Sequence, residues 1–278
     1  MYSLKTRARL LSVFILVVFV GLWYLGTLPA HTGPKYADPA YAALMGGGAS
    51  QTKGMPSPVS VGHALIEALS NPFYDNGPND KGIGIQLGWS LVRVLVGFGL
   101  ACLIAIPLGY AIGISPLLNR ALNPFIQVLK PISPLAWMPL ALYTIKDASM
   151  SGIFVIFICS IWPMLLNTAF GVAAVRKEWL NVAATLEVKP IRTAFQVILP
   201  AAAPTILTGM RISMGIAWLV IVAVEMLVGS TGIGYYVWNE WNNLSLTNVI
   251  VAVLVIGVVG MLLDLAFGRL QRAVTYVE

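Results

Sequence analysis

Charge is what this sequence has least of. Only 10% of its 278 residues are Asp, Glu, Lys or Arg, against about 25% in a typical soluble domain. Apolar residues make up 58% and the mean hydropathy is +0.82. Those figures exclude an ordinary soluble domain and place the chain in the membrane class. Cysteine is nearly absent as well. Cys102 and Cys159 each sit inside an apolar run, which argues against a disulfide framework and for small buried side chains. His31 and His63 are far apart, and neither has metal-ligand spacing around it. No Walker-type glycine loop, no HExxH and no GxSxG occurs. The chain therefore shows no chemistry of its own. No metal or cofactor is expected on it.

The formal net charge of +6 raises nucleic acid as a partner. The positions of the cations exclude it. They cluster at the ends of apolar runs, as the positive-inside pattern requires. Membrane lipid is the expected surrounding.

Crossing the hydrocarbon takes about 20 apolar residues. Six runs qualify as spans: roughly Leu10–Leu28, Leu91–Ile114, Phe125–Thr144, Gly152–Val175, Ile206–Val228 and Val249–Phe267. The third contains Lys130, Pro131 and Pro134, so a bent or broken helix is expected there. With the N-terminus inside, the inner segments hold Lys5, Arg7, Arg9, Arg120, Arg176, Lys177, Lys189, Arg192, Arg269 and Arg272. The outer segments hold only Lys35, Lys53, Lys81 and Lys146, offset by six carboxylates. Both termini and the segment after the fourth span are then expected in the cytoplasm. The first run has an alternative reading as a cleaved signal peptide, because Lys5, Arg7 and Arg9 precede it and Ala30 follows. Its length of about 19 residues favours a retained span.

The outer segment from about residue 29 to 89 is rich in Gly, Pro, Ser and Asn. Within it, Val59–Leu69 has the pattern of a short helix with one apolar face. That helix either lies in the outer interface or packs within the loop. No internal repeat and no second domain is visible, so residues 1–278 read as one transmembrane domain.

The most informative stretch is Arg176 to Pro204, about thirty residues where a short turn would suffice. It carries Arg176, Lys177, Lys189 and Arg192. Its pattern predicts two short helices, broken at Lys189-Pro190 and stopped at Pro200. Trp179, Leu180, Ala183 and Leu186 fall near one helical face. Ala183 and Ala184 are small enough for close approach by a partner. Spacing alone leaves two readings open: a docking helix for another protein, or an amphipathic helix on the inner leaflet.

That stretch resembles the EAA loop of permease subunits of ABC importers, which reads E-A-A-x-x-L-G and ends in x-L-P. Here the aligned residues are Asn181-Val182-Ala183-Ala184-Thr185-Leu186-Glu187, ending Ile198-Leu199-Pro200. Asn181 stands where the family has Glu, and Glu187 where it has Gly. With that Gly gone, Lys189-Pro190 is expected to take over the break. Pro131-Ile132-Ser133-Pro134-Leu135-Ala136-Trp137-Met138-Pro139-Leu140 resembles the third-span signature of nitrate/sulfonate/taurine-type permeases. Thr208-Gly209-Met210-Arg211-Ile212, then Ala217-Trp218 and Glu225-Met226-Leu227, resembles their fifth span. Gly257 to Asp264 resembles their last. Ile161 to Thr168 and Trp238 to Asn243 resemble most the cyanobacterial-type nitrate and bicarbonate permeases.

The resemblance implies an all-α type I importer permease fold. It implies a second copy of the chain, two ATP-binding subunits that hold ATP and Mg, and an extracytoplasmic solute-binding protein. Hydrolysis would belong to the partner, so the chain itself is not an enzyme. Asn181, Ala183, Ala184, Leu186, Glu187 and Lys189 would form the ATPase-coupling face. The cargo expected is a small oxyanion, nitrate first, with nitrite, bicarbonate, cyanate or an alkylsulfonate as the same class. A stand-alone secondary transporter or channel leaves the Arg176–Pro204 platform without a use. A membrane enzyme would need clustered His, Cys or carboxylates.

Ionisable side chains at mid-span cost about 2.5–3.5 kcal/mol on the insertion scale and are functional candidates by default. Arg93, Lys130, Arg211, Glu225 and Asp264 lie in or beside spans. Lys130 is the leading anion-sensing candidate, because Pro131 opens the helix beside it. The competing reading is a lysine snorkelling to the headgroups. Arg211 is expected to pair with an acid or anchor at the interface, Asp264 to cap or pair. Glu225 either pairs with a base or lines the outer gate. Trp137, Trp162, Asn167 and Trp218 can offer N–H groups to a planar oxyanion along a substrate path. Interhelical packing is the plainer role for each.

Overall fold

The computed structural model describes residues 4–28, 55–77 and 79–274. Residues 29–54, which hold much of the expected outer segment along with His31 and Ala30, lie outside them. The described residues are helical apart from short connections, and their only β feature is an isolated antiparallel bridge between Asp75 and Lys81. The helices are α1 (Leu4–Gly26), α2 (Pro58–Ser70), α3 (Ile83–Ile114), α4 (Pro116–Leu129), α5 (Pro134–Ile145), α6 (Ala148–Ala173), α7 (Lys177–Thr185), α8 (Pro190–Val228), α9 (Ile233–Asn242) and α10 (Leu246–Val274). α1, α3, α6, α8 and α10 are each long and apolar enough to cross a membrane. The bent pair α4 and α5 makes a sixth candidate.

The chain divides into two compact units. One comprises Met1–Asn71 with Glu240–Val251, and the other Pro72–Asn239 with Ala252–Glu278. In the first, Ser57 caps α2 by accepting from Ser60 N–H at 3.2 Å, and Pro58 occupies the first helical position. The Trp23 indole donates to Pro56 O at 3.1 Å.

In the second unit α6 packs along both α3 and α8. The α3 side of that seam is a stripe of small residues four apart: Gly97, Ala101, Ala105, Gly109 and Gly113. A Cβ on Gly109 would lie 2.7 Å from Thr168 Cβ, and one on Gly97 2.8 Å from Ile156 Cγ2. Van der Waals packing at close backbone approach is what holds helices together where lipid removes the hydrophobic drive. On the other side Gly209 of α8 meets Asn167 and Met164. Asp147 starts α6, its carboxylate accepting from Met150 N–H at 2.7 Å.

Two expectations need correction. The platform is not two short helices stopped at Pro200. α7 is short, but the second helix begins at Pro190 and runs unbroken to Val228. A π turn over Ala194–Ile198 precedes Pro200, with Leu199 N–H bonding Ala194 O. The wider turn opens the ladder where the proline ring would otherwise strike a carbonyl. The break does reach Lys189-Pro190, where the next helix starts, but its turn residue lies earlier. α7 ends at Thr185, and Glu187 just after it adopts φ +51°. Val188 N–H bonds Ala183 O and Glu187 N–H bonds Ala184 O. That is a Schellman cap with Glu in the place where glycine is usual.

Candidate functional site

The expected third span breaks sharply. α4 ends at Leu129, α5 begins at Pro134, and their axes differ by 93°. Proline causes the break twice over. Lys130 keeps helical angles, φ −57° and ψ −43°, and Pro131 after it has no N–H to continue the ladder, while Pro134 disfavours the helical conformation for Ser133. Ser133 is accordingly extended, with φ −59° and ψ +135°. α5 starts with Pro134 in its first turn and without a side-chain cap.

A cavity of about 270 Å³ opens at this break. Its walls include Lys130, Ser133 and Trp137 from the break and α5, and Cys159 and Trp162 from α6. Ile132, Ile216 of α8 and three proline rings complete it. The structure thus brings together three of the expected path residues, Lys130, Trp137 and Trp162. No carboxylate lines the cavity. Among the described residues, no protein acceptor is bonded by the Lys130 ammonium, the Ser133 hydroxyl or either indole N–H.

The other expected path residues lie elsewhere. Trp218 is buried in α8, donates its indole N–H to Ile256 O at 3.1 Å and rests on Gly260 of α10. Asn167 donates to Pro163 O, one turn earlier on its own helix, at 2.8 Å. Neither joins the cavity.

Glu225 sits at the far end of α8, 2% exposed. Its carboxylate accepts from Arg93 Nη1 at 2.7 Å, Ser90 Oγ at 2.7 Å and Gly234 N–H at 3.1 Å. Arg93, 8% exposed, also donates to Thr231 O, Thr231 Oγ1 and Ser149 Oγ at 2.7, 2.8 and 3.0 Å. Gln86 Oε1 accepts from Gly232 N–H at 2.6 Å, and Ser90 Oγ from Ile233 N–H at 2.8 Å. Three successive backbone N–H groups at the start of α9 thus end on polar atoms of α3 and α8. Gly232 has φ +119°, and a Cβ there would fall 2.2 Å from the Glu225 carboxyl carbon. Only glycine fits. This is a buried charge satisfied on every side, and it pins α3, α6, α8 and the 229–234 turn together.

Arg211 and Asp264 form a bidentate pair between α8 and α10, at 2.6 Å from Nε and 2.5 Å from Nη2. Both are substantially exposed.

On the platform, α7 presents Trp179, Val182 and Leu186 outward, and α8 presents Ile191 and Phe195. Asn181, Ala184, Glu187 and Lys189 are exposed as well. Ala183 is not. It is 5% exposed, with its side chain in the chain's own interior, so the expectation that it enters a partner's groove does not hold. Heptad-like spacing had put it beside Leu186.

Comparison with known proteins decides what these parts belong to. Residues 105–276 match the family model described as "Binding-protein-dependent transport system inner membrane component". The chain belongs to that family. It is 44% identical over 224 residues to the nitrate import permease protein NrtB of Synechocystis sp., covering 81% of this chain and 82% of that one. It is 42% identical over 207 residues to the bicarbonate transport system permease protein CmpB of Synechocystis sp., covering 74% of each. It is 31% identical to the taurine transport system permease protein TauC of Escherichia coli, covering 80% and 79%. A solved structure of the MetNI methionine ABC transporter superimposes with a TM-score of 0.60 at 15% identity, covering 68% of this chain and 94% of that one. That likeness concerns the fold, which is of the type I importer kind.

This permease is therefore an inner-membrane, multi-pass subunit of an ABC importer, working with separate ATP-hydrolysing and substrate-binding components. Sequence reasoning overlooked several of its structural residues. Ser90, Gln86, Thr231 and Gly232 are scattered over about 150 positions, and no spacing rule joins them. Ser133 and Cys159 were passed over because each is ordinary alone. The signal for Ser133 was present in the two prolines around it.

Proposed function

We propose that this permease forms, with a second copy of itself, the membrane path of an ATP-driven importer for a small oxyanion, nitrate first. The single observation that carries the cargo reading is the cavity at the α4–α5 break. Its walls are largely apolar, and their polar side chains are hydrogen-bond donors and one cation, with no carboxylate. An anion suits that lining and a cation does not. The extended similarity to a nitrate import permease supports nitrate as the cargo.

In this reading residues 1–278 act as one permease domain with both termini in the cytoplasm. The platform at 176–204 faces the same side and meets the ATP-binding subunits through Trp179, Val182, Leu186 and Ile191, flanked by Asn181, Ala184, Glu187 and Lys189. ATP and Mg bind those subunits, and hydrolysis occurs there. A solute-binding protein delivers the anion from the other side. Closure of the ATPase pair draws the two platforms together, and the rigid α3–α6–α8 body rocks to alternate access.

Bicarbonate is the second reading, favoured by the similarity to CmpB at almost the same identity. Both anions are planar and singly charged, so the cavity does not separate them. Reconstitution of the complete complex in proteoliposomes tests the choice. Nitrate import is expected to raise ATP hydrolysis and to fill the vesicles with labelled nitrate. Stimulation by bicarbonate, with none by nitrate or nitrite, would overturn nitrate.

A further inference from the structure

We propose that the cavity at the α4–α5 break is an anion-holding station of the permease itself, with Lys130 as its charge and Ser133, Trp137 and Trp162 as its hydrogen-bond donors. The argument starts from balance. Two other cations well inside the spans are neutralised. Arg93 is bound to Glu225 and Arg211 to Asp264. The cavity walled by Arg93 also contains Asp147 and Glu225 and holds only about 110 Å³. The Lys130 cavity is more than twice that size and has no acid in its wall.

Donor inventory points the same way. A lysine ammonium has three donors and no acceptor, an indole has one donor and no acceptor, and a serine hydroxyl can donate. A planar oxyanion offers only acceptors, so the two sets match. The walls between the donors are Ile216, Ile132 and the rings of Pro131, Pro134 and Pro163. Such walls lower the local dielectric and lengthen the reach of the Lys130 charge. One flexible ammonium in place of a rigid guanidinium gives attraction without a bidentate trap. A transit site needs that weakness, because binding must be favourable enough to enter and weak enough to leave. The station rests on the anion-import reading for its cargo only. Charge selection by the cavity is measurable without transport.

Cys159 lies in the cavity wall and serves as a built-in reporter. The experiment uses the complete complex in lipid nanodiscs, with Cys102→Ala in the permease and reactive cysteines removed from the other subunits. Cys159 is challenged with an anionic (sulfonatoethyl) and a cationic (trimethylammonioethyl) methanethiosulfonate. The thiolate attacks the reagent's sulfenyl sulfur, a mixed disulfide forms, methanesulfinate leaves and the thiol proton goes to water. The anionic reagent is expected to react faster by about tenfold, the factor that ~1.4 kcal/mol of differential attraction gives. Millimolar nitrate slows it. Lys130→Gln abolishes both the preference and the protection, and Lys130→Arg restores the preference. An unchanged anionic preference and unchanged protection in Lys130→Gln would overturn the station. If Cys159 resists both reagents, import decides: Lys130→Gln with normal co-purification must lower anion uptake about tenfold, and undiminished uptake rejects the proposal. A wild-type complex that imports bicarbonate but not nitrate would refute the nitrate assignment alone. Loss of the reagent preference in Lys130→Gln would still support the station.

Discussion

Arg93 and Lys130 are both cations inside the membrane-spanning bundle, and the chain treats them in opposite ways. Arg93 is 8% exposed and donates to Glu225, Thr231 and Ser149. Its partner Glu225 is capped in turn by Ser90 and a backbone N–H. Lys130 stands exposed at a helix break beside a cavity and has no carboxylate near it. Burying a charge is costly unless it is paired and hydrogen-bonded. A fully satisfied pair is therefore committed to holding structure and has nothing left to offer a ligand. A cation left unpaired within reach of a cavity keeps its donors for something that comes and goes. The state of the partner, more than the presence of charge in a span, separates a structural ion from a functional one.

The largest expected effect is on the satisfied side. Glu225→Ala strands Arg93 in the interior and should cost about 3–5 kcal/mol. The permease would be recovered in low yield, or with a thermal unfolding midpoint in detergent lowered by many degrees. The double change Arg93→Met with Glu225→Leu should regain most of that stability, because apolar replacements remove both desolvation penalties. Failure of the double variant to recover would mean that the pair does more than hold the helices.

Gly232→Ala attacks the same cluster through the backbone. The added methyl falls 2.2 Å from the Glu225 carboxyl carbon, at a φ of +119° that alanine rarely adopts. Strain at such a position costs about 1–3 kcal/mol, and displacing the carboxylate adds to it. An unfolding midpoint equal to wild type would show that the turn at 229–234 can move freely, and would break the contrast drawn with Lys130.

Much of this was readable from the chain alone, and the limits have physical causes. Span positions follow from run length, because hydrocarbon thickness demands about 20 apolar residues whatever the fold. The break between α4 and α5 was visible because proline acts locally. The pairing of Arg93 with Glu225 was not, since the partners are 132 residues apart in sequence and meet only when α3 packs beside α8. Trp218 and Trp137 look alike in sequence. Only the neighbouring helices reveal that one indole N–H reaches the Ile256 carbonyl while the other lines a cavity. Ala183 shows the same limit on the platform. Its small size fits both a partner's groove and a tight fit within its own chain, and the structure places it inside.

A smaller effect is expected at the end of α7. Glu187 holds φ +51° in a cap where glycine carries no Cβ penalty. Glu187→Gly should relieve that strain and stabilise the folded platform by up to about 1 kcal/mol, less the entropy that glycine adds to the unfolded chain. Hydrogen exchange at the Glu187 and Val188 amides, which bond to Ala184 and Ala183 carbonyls, measures it locally. Faster exchange in the glycine variant would mean that the Glu187 side chain itself holds the cap.

The smallest stability effect should come from the residue with the largest expected effect on anions. Lys130 has no described partner to lose, and exposed positions away from caps and cores usually change stability by no more than about 0.5 kcal/mol. Lys130→Gln should therefore unfold within a degree or two of wild type while the charge selection of the cavity disappears. The two halves of that result must occur together. A large fall in the unfolding midpoint would mean that the ammonium is fixed to something within the assembled complex. Lys130 would then belong with Arg93, as a structural ion whose partner is supplied by another subunit.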